Sequence, residues 1–350
     1  MGNLIQNELI KLFKRKSSWI MQLMLVAIVF LLAMMMMSAN NTEAPSTDGN
    51  KSDVGMTIYQ DQSGKTLNED QYNEAKMNDE KVNEKQLTLK ETLTFLKQQK
   101  QAVHSKKEKA SLQKQIDYYQ AYVDAGEKPA NKSLTSANFF SYLSSATSIA
   151  TIFVVIVAST IVAAEFSGGT IKLLLARPYS RSQILWSKYI TCFIYALLTA
   201  FVLLISSLVF SFMLPYHSVL LPIAANLGAT TALSLAIQLS LSNLLLMIFY
   251  VTVAFFFSSV VRSQALAVGV GIGTLFSSSI LASLLPLAIE KYDWLKWLVF
   301  NLLNLNQTVQ GNMTPGELAI WQMGIGIVIY MIAILILTFT IFKKRDVALT

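Results

Sequence analysis

The chain has 350 residues, of which 53% are hydrophobic and only 14% charged, against about 25% charged in a typical soluble protein. Mean hydropathy is +0.46, net charge is +7, and there are one Cys and two His. These values exclude a disordered chain, a disulfide-stapled secreted scaffold, an ordinary cytosolic enzyme and a His-based metal site.

In residues 1–18, Leu4, Ile5, Leu9, Leu12 and Phe13 alternate with Glu8 and Lys11 and precede Lys14, Arg15 and Lys16. The pattern predicts a short basic amphipathic helix lying in the membrane interface. The apolar stretch over 19–38 exceeds the 7–15 residues of a signal-peptide core, so it reads as an uncleaved first span.

Residues 39–144 read as a polar domain. Positions 39–140 hold 14 Lys, no Arg and 15 acids. The part over 39–75 is rich in Asn, Ser, Thr, Gly and Asp, and predicts irregular structure. A helical hairpin is expected over about 80–125. Leu89, Leu93, Leu96 and Val103 form one apolar stripe, and Leu112, Ile116, Tyr119 and Val123 form the other. The break falls at His104 and Ser105, and Gly126 and Pro129 end the second helix. This hairpin is either a gate or docking surface, or a passive solvated spacer.

A second span is expected over 145–164, then a loop over 165–189. Gly168 and Gly169 turn the chain, residues 170–176 form a short amphipathic helix, and Pro178 breaks it. Ser180 caps a new helix running into the third span, 190–213. Arg177 and Arg181 can pair with acids on a partner or with lipid phosphate. Cys192 is expected to be a packing residue.

An outer loop over 214–235 leads to the fourth span, 236–259. A turn at 260–263 leads to the fifth, 264–287. There Gly269 and Gly273 make a small-xxx-small face that packs either within one chain or against a second copy. Over 288–318, Trp294 and Trp297 with Lys291 and Lys296 suit an interfacial segment. Thr314-Pro315-Gly316-Glu317 reads as a capping box opening the sixth span, 319–342. The tail is 343–350.

With the N-terminus inside, twelve Lys and Arg fall on the cytoplasmic pieces. Only Lys291 and Lys296 fall on the short outer loops. The positive-inside rule therefore puts both termini in the cytoplasm and the polar domain outside. The fold class is an all-α polytopic membrane protein with six transmembrane helices and a helical-hairpin extracellular domain. The spans so drawn contain no Asp, Glu, Lys, Arg or His, which argues against a proton-coupled carrier and against intramembrane acid–base or metal chemistry. There is no G-x-x-x-x-G-K-[ST] phosphate loop, so energy for uphill transport would come from elsewhere.

The opening N-E-L-I-K-L-F-K-R-K and the stretch E-F-S-G-G-T-I-K-L-L-L-A-R-P-Y-S-R-S-Q-I-L-W-S-K resemble ABC-2 type transporter permeases, especially the branch of sodium, bacitracin and lantibiotic-immunity exporters. The resemblance implies a membrane subunit without ATPase activity or its own cofactor. ATP and Mg would be bound by a separate cytosolic ATP-binding-cassette subunit, in an assembly of two permeases and two ATPases. It implies a plasma-membrane location, export of a peptide or amphipathic drug-like solute, and a segment after the fifth span that returns into the outer leaflet. The coupling element would comprise Glu165, Lys172, Ala176, Arg177, Pro178, Ser180, Arg181 and Lys188. The partners are the ATPase, a second permease and the bilayer, with no nucleic acid. The polar domain departs from the family pattern, where many members have only a short loop. The alternative is a membrane-anchored sensor or adaptor whose hairpin binds a ligand.

Overall fold

Six helices dominate the computed structural model: α2 (Lys16–Thr42), α6 (Thr147–Ser167), α7 (Arg181–Ser211), α8 (Ala232–Val260), α9 (Gln264–Ile289) and α12 (Ile320–Lys344). Each is long and apolar enough to cross a bilayer, and the chain is an all-α multi-pass membrane protein. The structure describes residues 1–42, 54–61, 66–67, 72, 77, 82–129, 134–143, 147–170, 179–261, 263–312, 314 and 316–344. Two compact units emerge. The first comprises Met1–Met35, Phe139–Met213 and Leu235–Thr350, and the second Met36–Asn138 and Leu214–Ser234.

In the first unit, α1 (Gly2–Lys14) precedes α2, and Arg15 breaks the helix with an extended backbone. Helices α6 and α8 are the most enclosed spans, while α2, α9 and α12 are the most open. The spans are joined by hydrogen bonds between mild polar groups, as expected where lipid supplies no competing partner. Gln22 donates to Thr199 at 2.8 Å, Tyr195 to the Ser18 carbonyl at 3.1 Å, and Tyr189 meets Thr252 at 2.9 Å.

Helix α9 packs on α6 through Gly271, where a Cβ would lie 2.5 Å from Ser159 Oγ and 3.0 Å from Val155 Cγ1. Gly269 and Gly273 have no atom within 4 Å of that position. The close contact inside the chain therefore uses the glycine between the two expected ones.

After α9, a 3₁₀ turn (Asp293–Trp297) and two short helices, α10 (Val299–Leu302) and α11 (Leu305–Val309), pack between α8 and α12. Leu302 and Leu305 join Leu246, Phe249, Leu318, Met323 and Ile327 in one cluster. Ser242 donates to Asn306 Oδ1 at 2.5 Å. Trp294 and Trp297 stay exposed. Thr314-Pro315-Gly316-Glu317 does not open α12. Gly316 and Glu317 both have positive φ, so the chain turns there, and the helix starts at Ile320. Gln322 accepts from the Ala319 amide at 2.9 Å and supplies the helix start instead. Pro315 lies outside the described residues.

The second unit holds α3 (Leu89–Ala102) and α4 (Lys106–Ala125). Leu93, Leu96, Leu112 and Ile116 form their buried seam, with Val103, Tyr119 and Val123 against it. Thr88 and Glu91 make a reciprocal capping box at the start of α3, and Gly126 ends α4 in the left-handed region.

The expectation of irregular structure before the hairpin is corrected. Strands β1 (Val54–Gln60), β2 (Thr66–Leu67) and β3 (Asn83–Thr88) form an antiparallel sheet in the order β2-β1-β3, with Ile58 opposite Lys85. The expected hairpin start near 80 falls instead on a strand. Each of the two longer strands buries one apolar residue, Ile58 between half-buried neighbours and Leu87 between exposed ones.

Of residues 214–235, expected as an outer loop, Leu214–Ser234 belong to this unit. Tyr122 of α4 donates to the Pro222 carbonyl at 2.7 Å and meets His217 Nε2 at 2.8 Å. At the start of α5 (Ser136–Leu143), Ser136 Oγ accepts from the His217 amide at 2.9 Å. Gly228, at φ +67, passes close to Lys114 of α4.

Candidate functional site

The N-terminal helix buries Leu4, Glu8 and Leu12, one residue per turn. An acid thus occupies the middle of an otherwise apolar stripe, where a lone carboxylate would be costly. The compensation comes from α7, against which α1 packs. Lys188 Nζ lies 2.8 Å from Glu8 Oε2 and 3.3 Å from Glu165 Oε1 at the end of α6. Lys11 Nζ reaches Glu165 Oε1 at 3.3 Å and Glu8 Oε1 at 3.4 Å. Thr170 Oγ1 donates to Glu165 Oε2.

Among the described residues, this is a charge-balanced set of two ammoniums and two carboxylates on three helices. Lys188 is only 2% exposed. Removing one partner of a buried pair costs about 3–5 kcal/mol, because it strands the other charge. The cluster is therefore an electrostatic pin joining α1 to the facing ends of α6 and α7.

The expected coupling residues now sort by position. Glu165 and Lys188 pair with each other, and the Lys188 ammonium faces inward rather than toward a partner. Their influence on any partner would run through the placement of α1 and the 168–180 segment. Ser180 caps α7, its side chain accepting from the Gln183 amide while the Gln183 side chain returns to the cap amide. Arg181 opens α7, which thus starts nine residues before the expected span. Its Nη1 donates to the Lys343 carbonyl at 3.4 Å, in the last turn of α12. There a cation complements the negative helix end. Lys172, Ala176, Arg177 and Pro178 lie outside the described residues, as does nearly all of the expected 170–176 helix. The turn that ends α6 is present, with Gly169 at φ +70.

Glu8 escaped the sequence reading as a site residue. The available signal was local: it sits four residues from both Leu4 and Leu12, on the face that ought to be apolar. Gly269 and Gly273 lie on an open face of α9, with Leu266, Phe276 and Ile280 exposed along the same helix. Cys192 is fully buried on α7.

The chain is similar to two proteins of Bacillus subtilis (strain 168). One, called Uncharacterized protein YhcI, is 35% identical over 222 residues, covering 61% of this chain and 67% of that protein. The other, called Uncharacterized membrane protein YdbK, is 30% identical over 218 residues, covering 61% of this chain and 85% of that protein. Residues 100–348 match the family described as Protein of unknown function (DUF2705). That match includes Glu165 and Lys188 but begins after Glu8 and Lys11. By the extent of the match, the chain belongs to the DUF2705 family.

Proposed function

We infer that this protein is the membrane subunit of an ABC-2 type exporter, moving a peptide or amphipathic drug-like solute outward. A separate cytosolic ATP-binding-cassette ATPase supplies the energy, and two copies of each subunit form the transporter in a bacterial plasma membrane. The observation that carries this reading is how the segment after α6 is held. Its ends are tied together by Glu165 and Lys188, α1 is pinned beneath them by Glu8, and Arg181 holds the end of α12. Helices α6 and α7 are therefore joined at these ends. A push from the cytosol on these ends would therefore enter the bilayer along both helices. The charge asymmetry of the loops supports the orientation this requires.

The test is purification together with any cassette ATPase encoded beside it, followed by a screen for solutes that stimulate ATP hydrolysis. The expected result is a stable complex whose hydrolysis rises with an amphipathic solute. Robust hydrolysis by the isolated chain, or no association with any cassette ATPase, would overturn the reading.

The sensor or adaptor reading has one observation in its favour. The connection between α7 and α8 is built into the hairpin unit through Tyr122, His217 and Pro222. A ligand on the hairpin could thereby act on the ends of two spans. A kinase gene in place of an ATPase gene beside this one would favour it.

A further inference from the structure

The hairpin unit contains a cavity of about 400 Å³ at its open end, where the first turn of α3 meets the last turn of α4. That volume is in the range of small-molecule sites. Its inner surface is apolar, from Leu89, Val123 and the ring of Tyr122, and its mouth carries Lys90, Lys128 and Glu127. Lys90 also borders a second hollow of about 470 Å³, between the sheet and α3. There Ile58, Leu87 and Phe95 make the floor and Lys85 joins the rim.

The acids on these rims are partly committed. Glu91 accepts from both the amide and the hydroxyl of Thr88 at 2.9 Å in the capping box. Glu91 also lies near Lys85, and Glu127 lines the first cavity with Lys90 and Lys128. Lys90 thus borders both hollows, with Lys128 on the first and Lys85 on the second. Tyr122 is held rigidly from behind, since its hydroxyl is bonded to Pro222 and His217.

We propose that the cavity between α3 and α4 binds a small anionic amphiphile, its apolar body against Leu89 and Val123 and its acid head between Lys90 and Lys128. The head could be a carboxylate, sulfonate or phosphate, because the ammoniums act as mobile point charges rather than as a fixed fork. The ligand could be a free solute or the end of an anionic lipid. This binding does not depend on the export reading, and its test measures no transport.

The test uses the full chain in nanodiscs of phosphatidylcholine and radiolabelled octanoate as probe, with empty discs as background. Saturable binding is expected. Reversing both lysines (Lys90→Glu with Lys128→Glu) is expected to weaken it at least tenfold, and Lys106→Glu, elsewhere on the hairpin, to leave it unchanged. Both target side chains are exposed, so the fold should tolerate them. The milder Lys90→Gln with Lys128→Gln should show a smaller loss in the same direction. Octylamine, with the same chain and opposite charge, should not displace the probe. Displacement when phosphatidylglycerol is added to the discs would identify a lipid headgroup as the source, and persistence would identify a soluble amphiphile. No saturable binding above empty discs, unchanged binding in the reversed variant, or equal competition by octylamine would overturn the proposal.

Discussion

Lys188 and Glu8 are 180 residues apart in the chain, and their charged atoms are 2.8 Å apart and buried. The N-terminal helix therefore does more than rest at the membrane interface. Its single acid neutralises a cation set into the start of the third span, while Glu165 approaches the same cation from the second.

That arrangement predicts a non-additive mutant cycle. Lys188→Leu leaves Glu8 buried without its main partner and should cost about 3–5 kcal/mol. Adding Glu8→Leu removes the stranded charge, and Glu165 still keeps Lys11, so most of the loss should return. Thermal unfolding midpoints of the two single variants and the double in one detergent would measure this. A double variant as unstable as Lys188→Leu alone would mean that the pair is not what holds α1.

The two arginines of the loop should separate. Arg181 bonds to the carbonyl end of α12 at 3.4 Å on the surface, so Arg181→Glu should destabilise that end by about 0.3–1 kcal/mol, the range for an exposed cation at a helix end. Arg177→Glu is expected to lower co-purification with a cassette ATPase while leaving the unfolding midpoint unchanged. Equal effects of both substitutions on both measurements would refute the division of roles.

Acid should loosen the hairpin unit. Burial pushes the His217 imidazole below its ordinary value, although Glu127 nearby pulls the other way. Tyr122 gives its proton to Pro222, so the neutral His217 donates through Nε2 to the tyrosine oxygen, and a second proton would be forced into a buried site. The folded value is lower than the unfolded one of about 6.5. The unfolded state thus binds more protons, and stability is complete above about pH 6.5 and falls as pH drops toward the folded value. Hydrogen exchange of the α4 amides from pH 7.5 to 5 would show this, with His217→Gln flattening the profile. A slope unchanged in that variant would point to other groups.

The glycines of α9 should differ. Gly271→Val forces a branched side chain against Ser159 and Val155 and should cost at least 1–3 kcal/mol, the range for overpacking. Gly269→Leu with Gly273→Leu meets open space and should leave the monomer's unfolding midpoint unchanged. If this face meets a second copy, the same pair will lower the dimer fraction in cross-linking. If it meets lipid, the fraction will not move.

Orientation can be read directly at Met77, which is 89% exposed. In a Cys192→Ser background, Met77→Cys should react with an impermeant thiol reagent on intact cells. Reaction only after lysis would invert the topology and remove the cytoplasmic loop from reach of any ATPase.

Local patterns were legible in the residues alone. Six apolar runs became six spans, the stripe through Leu93, Leu96, Leu112 and Ile116 became the hairpin seam, and Ser180 became the cap of α7. Each depends on neighbours within a turn or two, where hydrophobic period and backbone satisfaction act without reference to the rest of the chain. Turn chemistry was less secure. Thr314-Pro315-Gly316-Glu317 satisfies a capping-box pattern, yet Gly316 and Glu317 adopt positive φ and the helix begins beyond them.

What only the tertiary structure decided lies between residues far apart. Lys188 read as a loop residue because the third span was drawn from apolar residues alone. The helix capped by Ser180 was expected to run into that span, and packing makes its lysine a buried partner of Glu8. Val54–Gln60 read as irregular because a short strand between polar flanks has little signal of its own, and its stability comes from Asn83–Thr88 across the ladder and α3 beneath. His217 read as an isolated histidine until Tyr122 met it from 95 residues away. In each case the deciding free energy is that of a group losing water. Sequence specifies which groups would suffer from that loss, and only the packed chain supplies the partner that makes it tolerable.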